Sequence, residues 1–255
     1  MQIDFHTHGR LTKKSQYDTG FHRDMIAAAR ETGLDALVLS EHYNTTEYYV
    51  MYEEMAEAFE YRQEYYLIDG IKVFMGLEVD VAEGGHVILV APREVILELR
   101  RGLDGHEEEG QFIAVKELLD RAEAHGCLTI AAHPYRAEGH LGTTVAPEQL
   151  ARFDALDLNA TDLFTRGQDV VYEEVKALSE RLGNVVVTGS DSHYPVQLGS
   201  NRTVLPGDPE TVAELRAAVR SGAFAIEVSE LLDVKVFAAR TAKAKLKAEL
   251  VAAGG

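Results

Sequence analysis

The stretch Asp24-Met-Ile-Ala-Ala-Ala-Arg-Glu-Thr-Gly-Leu-Asp-Ala-Leu-Val-Leu-Ser-Glu-His42 joins a helix to a strand. Its first part carries small and apolar residues on a helical stripe and ends at Gly33, as helices commonly do. The run Ala36–Leu39 is short and apolar, which is typical of a buried strand. A helix that leads into a buried strand is the building unit of parallel α/β proteins.

The same alternation continues along most of the chain and favours a parallel α/β architecture over a sandwich or a helical bundle. The predicted strands are Ile3–Phe5, Ala36–Leu39, Lys72–Leu77, Val87–Val90, Leu128–Ala131, Ala155–Leu158 and Val185–Thr188. The predicted helices are Arg23–Glu31, Tyr52–Tyr65, Arg93–Arg100, Ile113–His125, Val170–Arg181 and Pro209–Ser221. Seven strands in 255 residues suit a closed or distorted barrel of the (β/α) class.

Composition limits the classes of function. The 25 Lys and Arg residues against 42 Asp and Glu residues give a net charge of −17, which argues against a surface that binds long nucleic acids. Bound metal ions could still supply local positive charge, so small phosphorylated substrates remain open. The single cysteine, Cys127, permits no internal disulfide, and no apolar segment is long enough to span a membrane. We therefore expect a cytoplasmic protein.

Two segments stand apart in composition. Residues 228–255 form a tail that favours a helix and is locally basic, and we expect it to pack on the barrel or project from it rather than bind a specific partner. The segment Tyr43–Tyr66 holds seven of the eleven tyrosines. Its Met51, Met55 and Phe59 follow helical spacing, which predicts an amphipathic helix on the body; a lid or a contact between copies in a homo-oligomer is the alternative.

Histidines and carboxylates follow the predicted strands. His6 and His8 come two residues apart after the first apolar run, so on a strand both imidazoles point to one side. A pair of surface histidines is the plain alternative for this motif alone. The pattern recurs at four further strand ends, however, and in a parallel barrel such ends open onto one face. The recurring residues are Glu41 and His42, Glu78, His133, and Asp191 with His193.

These residue types together favour a cluster of divalent ions. Such ions take His nitrogen and carboxylate oxygen, and two ions need a carboxylate that bridges them. Glu78 is our candidate bridge, because it stands alone at its strand end while its neighbours come in pairs. Gly84 and Gly85 permit a tight turn that could bring His86 back beside Glu78.

The succession H-x-H, E-H, G-x-E, H-V-I-L, A-H-P and G-S-D-S-H resembles the polymerase and histidinol phosphatase (PHP) superfamily. The resemblance implies a single PHP-type domain over residues 1–255, a distorted (β/α)7 TIM-like barrel that hydrolyses phosphoesters with two or three divalent ions, Mn, Fe or Zn. It also implies three ligand sets: His6, His8, Glu78 and Asp191; Glu78, His86 and His133; and His42, His193 and a residue beyond H-x-H.

That last ligand is where the sequence departs from the family pattern, because the first loop is longer than usual. Counting back from the first helix selects Asp18 as the third-site ligand, with His22 as the reserve. Glu41 replaces a common Asp, and we expect it to support the ligands from behind.

The charges suggest the mechanism. A hydroxide bridging two ions has a lowered pKa and can attack phosphorus in line, while the ions neutralise the nonbridging oxygens. Arg136 and Arg202 are candidates for additional contacts to the phosphate of a small substrate, although either could be an ordinary surface cation.

Two other classes fit less well. A TIM-barrel amidohydrolase with a binuclear site also begins with H-x-H, but it normally carries a bridging Lys on a middle strand, where this chain has Glu78. A noncatalytic barrel that binds metal and acts through the Tyr-rich segment would have lost some ligands, whereas nearly all are present here.

Overall fold

The computed structural model describes residues 1–136 and 139–252. The strands are β1 (Gln2–Thr7), β2 (Ala36–His42), β3 (Glu60–Arg62), β4 (Tyr65–Ile68), β5 (Ile71–Asp80), β6 (His86–Val90), β7 (Leu128–Ala132), β8 (Ala155–Asn159), β9 (Val185–Gly189), β10 (Asn201–Val204) and β11 (Ala225–Val228). The helices are α1 (Thr19–Glu31), α2 (Tyr48–Ala58), α3 (Arg93–Arg101), α4 (Val115–Ala124), α5 (Leu141–Thr144), α6 (Pro147–Leu150), α7 (Ala160–Arg166), α8 (Gln168–Leu182), α9 (Val212–Arg220) and α10 (Leu232–Ala252), with a 3-10 turn at Pro195–Gln197.

The eleven strands form one mixed sheet, in which nine follow the order β11-β10-β1-β2-β5-β6-β7-β8-β9 and the hairpin of β3 and β4 joins through the pairing of β4 with β5. The sheet curls until β9 approaches β1, where the amide of Asp191 donates to the carbonyl of His6 at 2.7 Å and the amide of His8 donates to that of Ser192 at 2.9 Å. Farther down, β10 pairs with β1 in antiparallel fashion. The result is a nearly closed α/β barrel, which confirms the distorted TIM-like fold.

Strand β6 is antiparallel to both of its neighbours, β5 and β7. The turn between β5 and β6 contains Gly84 and Gly85, both at φ +88° in the region that favours glycine. The chain therefore reverses sharply and brings His86 opposite Asp80 in the ladder. This hairpin places a residue from the start of β6 at the same end of the barrel as the last residues of β5.

The interior of the barrel is apolar below and polar above. Because side chains alternate across a strand, Phe74 and Glu78 of β5 face the same side, as do Val38 and His42 of β2. The lower positions join a buried cluster that also contains Leu215 of α9, the helix that covers the amino-terminal ends of the strands. The upper positions carry the candidate ligands.

The seven predicted strands all occur, and five of the six predicted helices lie within three or four residues of their expected bounds. The exception is the helix expected over Tyr52–Tyr65, which is wrong at its end: α2 stops at Ala58, and a short hairpin of β3 and β4 follows. Helical spacing does continue to Phe59, but from Glu60 the backbone pairs β3 with β4, and β4 in turn pairs with β5. Most of the tyrosines in this segment are buried, so the segment packs on the body.

The basic tail forms α10, anchored by the buried Leu232 and Val236 and by a 2.7 Å hydrogen bond from Lys235 Nζ to the carbonyl of Leu198. Residues 253–255 of the expected tail lie outside the described part of the chain. Among the helices of residues 1–136 and 139–252, none has the length and apolar character needed to cross a bilayer.

Candidate metal centre

Candidate ligands from five strand ends converge at the upper mouth of the barrel. Glu78 lies at their centre and is 1% exposed. Each of its carboxylate oxygens faces several imidazoles: Oε1 is 2.7 Å from His86 Nδ1, 3.3 Å from His133 Nε2 and 3.4 Å from His6 Nε2, and Oε2 is 2.9 Å from His42 Nδ1 and 3.5 Å from His8 Nε2. One carboxylate thus contacts imidazoles on both sides, the arrangement that a bridging ligand requires.

The ligand atoms form four groups whose members lie within 4.8 Å of one another. These groups are Glu78, His86 and His133; His6, His8 and Glu78; His6, His133 and Asp191; and His8, His42 and His193. Asp191 adjoins the second group as well, because its Oδ1 is 3.2 Å from His8 Nε2. The cluster of His, Glu and Asp fits a site for more than one metal ion.

Unsatisfied polar atoms give an independent test of that fit. Among the described residues, both ring nitrogens of His8, Nε2 of His6, Nδ1 of His42 and Oε2 of Glu78 are buried without a hydrogen-bond partner. Leaving such atoms buried and unpaired costs on the order of 1–3 kcal/mol each. Nδ1 of His8 faces Glu41, but the other four atoms meet around the carboxylate of Glu78, so cations coordinated between them would satisfy them together.

The charges of the cluster ionise its central carboxylate and divide its imidazoles. Burial lowers the pKa of His6, His8 and His86, but Glu78 and the neighbouring carboxylates raise it above the ordinary value, so a metal ion would have to displace protons from these three rings. Burial alone would raise the pKa of Glu78, but His42, His86 and His6 hold it well below its usual range, so the carboxylate stays ionised. Burial, with the nearby Arg136, lowers the pKa of His133 to about 3, which keeps this imidazole neutral. A neutral imidazole and an ionised carboxylate are the forms that bind metal.

A second layer of carboxylates orients the candidate ligands. Asp157 Oδ2 lies 3.1 Å from His6 Nδ1 and accepts hydrogen bonds from the amide of His133 at 3.4 Å and from Asn159 Nδ2 at 2.9 Å. On the other side, Asp80 Oδ1 is 2.9 Å from His86 Nε2. Carboxylates behind histidines fix the ring orientation and the tautomer of a metal ligand.

Sequence reasoning did not single out Asp157, Asp80 or Asp4. Asp4 Oδ1 accepts from the amides of His6 and Ser190 and so ties β1 to the segment after β9. A signal for Asp157 was present, because polar residues alternate with Leu in the strand Ala155–Asn159, which is buried throughout. Such polar residues on one face of a buried strand indicate a polar barrel interior.

Close backbone packing sets the spacing of the cluster. A Cβ at Gly189 would lie 2.3 Å from the Cβ of His6 and 2.7 Å from Asp157 Oδ1, so only glycine lets β9 approach β1 this closely. His133 at φ +29° and Asp191 at φ +57° adopt backbone conformations that non-glycine residues rarely take. Strain of this kind is typical of residues held for function.

The structure does not bring Asp18 or His22 to the cluster. Asp18 is the N-cap of α1, where Oδ1 accepts from the amides of Gly20 and Phe21, the usual role of a short polar residue before a helix. His22 is on the buried face of α1, and its ring centroid is 5.7 Å from that of Tyr17. His8 takes the place expected for Asp18 in the group with His42 and His193.

Glu41 lies behind the cluster, next to His8. Its Oε1 is 3.6 Å from His8 Nδ1, and its Oε2 accepts from the amide of Gly9 at 3.2 Å. Burial would raise its pKa, but His8 and His42 lower it below the ordinary value. The carboxylate is therefore ionised beside the imidazoles.

The two arginines differ in position. Arg136 lines the mouth, but it is held by its neighbours: Nε donates to Asp162 at 2.8 Å, Nη1 to Asp191 at 2.8 Å and Nη2 to Asn159 at 2.8 Å. Its visible role is to position Asp191. Arg202 is away from the mouth, because β10 runs antiparallel beside β1 and directs its Nη1 to Gln2 Oε1 and to the carbonyl of Thr32.

A cavity of about 620 Å³ opens above the cluster. Its floor includes Glu78, His42 and Asp191, and one wall is formed by α10. The residues that α10 contributes are Ala239, Arg240, Lys243, Ala244 and Lys247. The tail that the sequence marked as basic thus borders the candidate metal centre, a placement that composition alone did not predict.

Comparison with solved structures places the fold among known barrels. PsfC from Pseudomonas syringae has a TM-score of 0.77 at 22% identity, and the match covers 96% of this chain and 98% of PsfC. The lesion-specific endonuclease PfuEndoQ from Pyrococcus furiosus has a TM-score of 0.65 at 17% identity, over 89% of this chain and 58% of the endonuclease. An amidohydrolase from Chromobacterium violaceum has a TM-score of 0.53 at 14% identity, over 89% and 97%. At these identities the likeness concerns the fold alone.

No curated protein matches the chain. The family comparison is direct, however: residues 4–186 match the PHP domain, and residues 173–224 match a PHP-associated segment. The first match covers most of the chain and includes His6, His8, His42, Glu78, His86 and His133. The chain therefore belongs to the PHP domain family, within the superfamily of metal-dependent phosphoesterases.

Proposed function

We propose that this PHP-family hydrolase is a phosphomonoesterase that acts on a small phosphorylated molecule with two or three divalent ions. The observation that carries the proposal is the central position of Glu78, whose two oxygens face five imidazoles. Ions held there, with Mn, Fe or Zn as the candidates, would activate water and offset the charge on the phosphoryl oxygens.

The proposed ligand sets follow from the distances. One position takes His6, Glu78 and Asp191; the next takes Glu78, His86 and His133; the remaining one takes His42 and His193. His8 adjoins the first and the last of these positions and would serve one of them through Nε2. Arg136 holds Asp191 in place, and Asp157 orients His6. The protein itself needs no nucleophilic side chain in this scheme, because its residues position the ions and neutralise one another's charge.

The size and charge of the molecule support a small substrate. The net charge of −17 opposes association with a long polyanion. The cavity of about 620 Å³ falls within the range of roughly 300–1,000 Å³ that small-molecule sites occupy. PfuEndoQ shares the barrel, yet this chain spans only 58% of that endonuclease, so we do not extend its substrate to this protein.

The test is Glu78→Gln, with Glu57→Gln on the exposed surface of α2 as the matched control. Removing the bridging charge should lower hydrolysis of p-nitrophenyl phosphate by about 100-fold or more and reduce the bound metal per chain. The Glu57→Gln variant should keep the parent's rate of hydrolysis and its bound metal per chain. If Glu78→Gln hydrolyses the ester normally, Glu78 does not bridge the ions and the proposed mechanism fails.

A substrate screen then decides the class of ester. The metal-loaded protein should hydrolyse small phosphomonoesters faster than phosphodiesters or oligonucleotides. Preferential cleavage of oligonucleotides would contradict the assignment to small substrates.

A further inference from the structure

The wall that α10 contributes to the cavity is strongly cationic. Residues 234–248 contain five Lys and Arg residues and no carboxylate, in a chain whose net charge is −17. Arg240, Lys243 and Lys247 are three and four residues apart, so they lie on one face of the helix. All three line the cavity above the candidate ligands.

Lys243 is the most enclosed of these cations. Burial lowers the pKa of its ammonium group, and Lys247 lowers it further, while Asp191 opposes the change. Among the described residues, none of the three cations forms an ion pair. By contrast, two other cations in the cavity are paired, Lys13 with Asp80 and Arg136 with Asp162 and Asp191. The face of α10 therefore offers positive charge that this part of the chain leaves unneutralised.

The scissile phosphate cannot account for this charge. In the proposed function the phosphate to be hydrolysed would be held by ions at Glu78, His42 and Asp191 on the floor of the cavity, whereas the three cations come from a separate helix at its wall. A single phosphoryl group is also much smaller than a cavity of about 620 Å³. The remaining volume, with its cationic wall, fits the rest of a substrate that is itself negatively charged.

We propose that Arg240, Lys243 and Lys247 of α10 form a subsite for a second anionic group of the substrate. The substrate class is then a small phosphomonoester that carries another phosphate or a carboxylate. The inference rests on the proposed function, since it assumes that the phosphate to be hydrolysed is bound at the metal centre.

Binding of unreactive phosphonates tests the subsite without turnover. Propylphosphonate carries one anionic group, 3-phosphonopropionate adds a carboxylate in place of the terminal methyl, and 1,3-propanediphosphonate carries a second phosphonate. Calorimetry on the Mn²⁺-loaded protein should give tighter binding of at least one doubly anionic compound, by about tenfold over propylphosphonate. The compound that gains affinity identifies the second group as carboxylate or phosphate.

Variants of α10 show which residues cause the tighter binding of the doubly anionic compounds. The measured quantity is the ratio of the affinity for the doubly anionic compound to the affinity for propylphosphonate. The double variant Lys243→Gln/Lys247→Gln should reduce this ratio to about twofold or less, whereas Lys243→Arg/Lys247→Arg should keep it because the charge remains. Lys245→Gln is the matched control, since Lys245 is exposed on the same helix and does not line the cavity. A ratio near one in the parent protein, or a ratio that survives the loss of both lysines, would overturn the proposal.

The outcomes separate this inference from the proposed function. If the metal-loaded protein hydrolyses phosphomonoesters but shows no preference for the doubly anionic phosphonates, the subsite is wrong and the function stands. If the preference is present and depends on Lys243 and Lys247 while no phosphomonoester is hydrolysed, the subsite stands and the function is wrong.

Discussion

Asp157 acts on the candidate centre through the residues that it orients. Its carboxylate lies beside His6 and the amide of His133, two candidate ligands that form a group with Asp191. Asp157→Asn keeps the shape but removes the negative charge behind His6. We expect the affinity for metal to fall by about 10- to 100-fold, the usual effect of losing such a partner.

Metal titration of the stripped protein measures this effect. Asp169→Asn, at an exposed position of α8, is the control and should leave the affinity unchanged. Unchanged metal affinity in Asp157→Asn would mean that backbone packing alone orients His6.

His22 makes stability depend on pH. Burial lowers its pKa to about 4 from an ordinary value of 6.5. Below pH 6.5 the unfolded chain therefore binds a proton that the folded protein does not accept until about pH 4, so stability falls as the pH decreases through this window. Relative to a His22→Leu variant, the parent should lose about 2 kcal/mol between pH 8 and pH 5.

Urea unfolding of both proteins across this range checks the prediction, because the other titrating groups are shared and cancel in the difference. A difference that stays constant with pH would show that His22 is protonated to the same extent in both states.

At the scale of elements, the β5–β6 turn controls the position of His86. Gly84 and Gly85 both have φ of +88°, but a Cβ at Gly85 would lie 2.8 Å from Leu141 Cγ and 2.9 Å from the carbonyl oxygen of Gly139, whereas the nearest atom to one at Gly84 is 3.8 Å away. Gly84→Ala should cost about 1–2 kcal/mol from its backbone conformation. Gly85→Ala should cost about 1–3 kcal/mol more from the clash.

The two alanine variants also differ in what they displace. His86 directly follows Gly85 and lies 2.7 Å from Glu78, so Gly85→Ala should lower metal content as well as thermal stability. Equal losses of metal in the two variants would contradict this account of the turn.

For the whole molecule, we propose that residues 1–255 fold as one domain. The inner core joins residues of β1 to residues of α9, near opposite ends of the chain, and α10 is anchored by Leu232 and Val236. A shared core predicts one cooperative thermal transition. Two separate transitions would contradict the assignment.

Metal binding should raise the temperature of that single transition. The unsatisfied nitrogens and oxygens of the cluster belong to the folded state, so ligation stabilises it, by about 2.7 kcal/mol at a metal concentration 100 times the dissociation constant. Calorimetry should show a higher melting temperature with Mn²⁺ or Zn²⁺ than with chelator, and a smaller rise for Glu78→Gln. An identical melting temperature in both conditions would argue against metal binding by the cluster.

The sequence by itself determined the positions of seven strands along the chain and most of the residues at the mouth. Period and composition mark a buried strand such as Ala36–Leu39 locally, and parallel strands that end in His, Glu or Asp must direct those residues to one end of a barrel. The glycine pair before His86 likewise predicted the return of this residue to Glu78. These features depend on neighbours close along the chain.

Only the tertiary structure decided which distant groups share a site. His8 lies beside His42 and His193, where Asp18 was expected. This difference depends on the path of the long first loop and on the N-cap of α1, and neither follows from counting residues. Arg202 was directed away from the mouth by antiparallel pairing of β10 with β1. Lys243 entered the cavity because α10 packs on α7 and on the 3-10 turn at Pro195–Gln197, near the mouth. These elements lie tens of residues apart along the chain, and local sequence patterns carry no information on the distance between them.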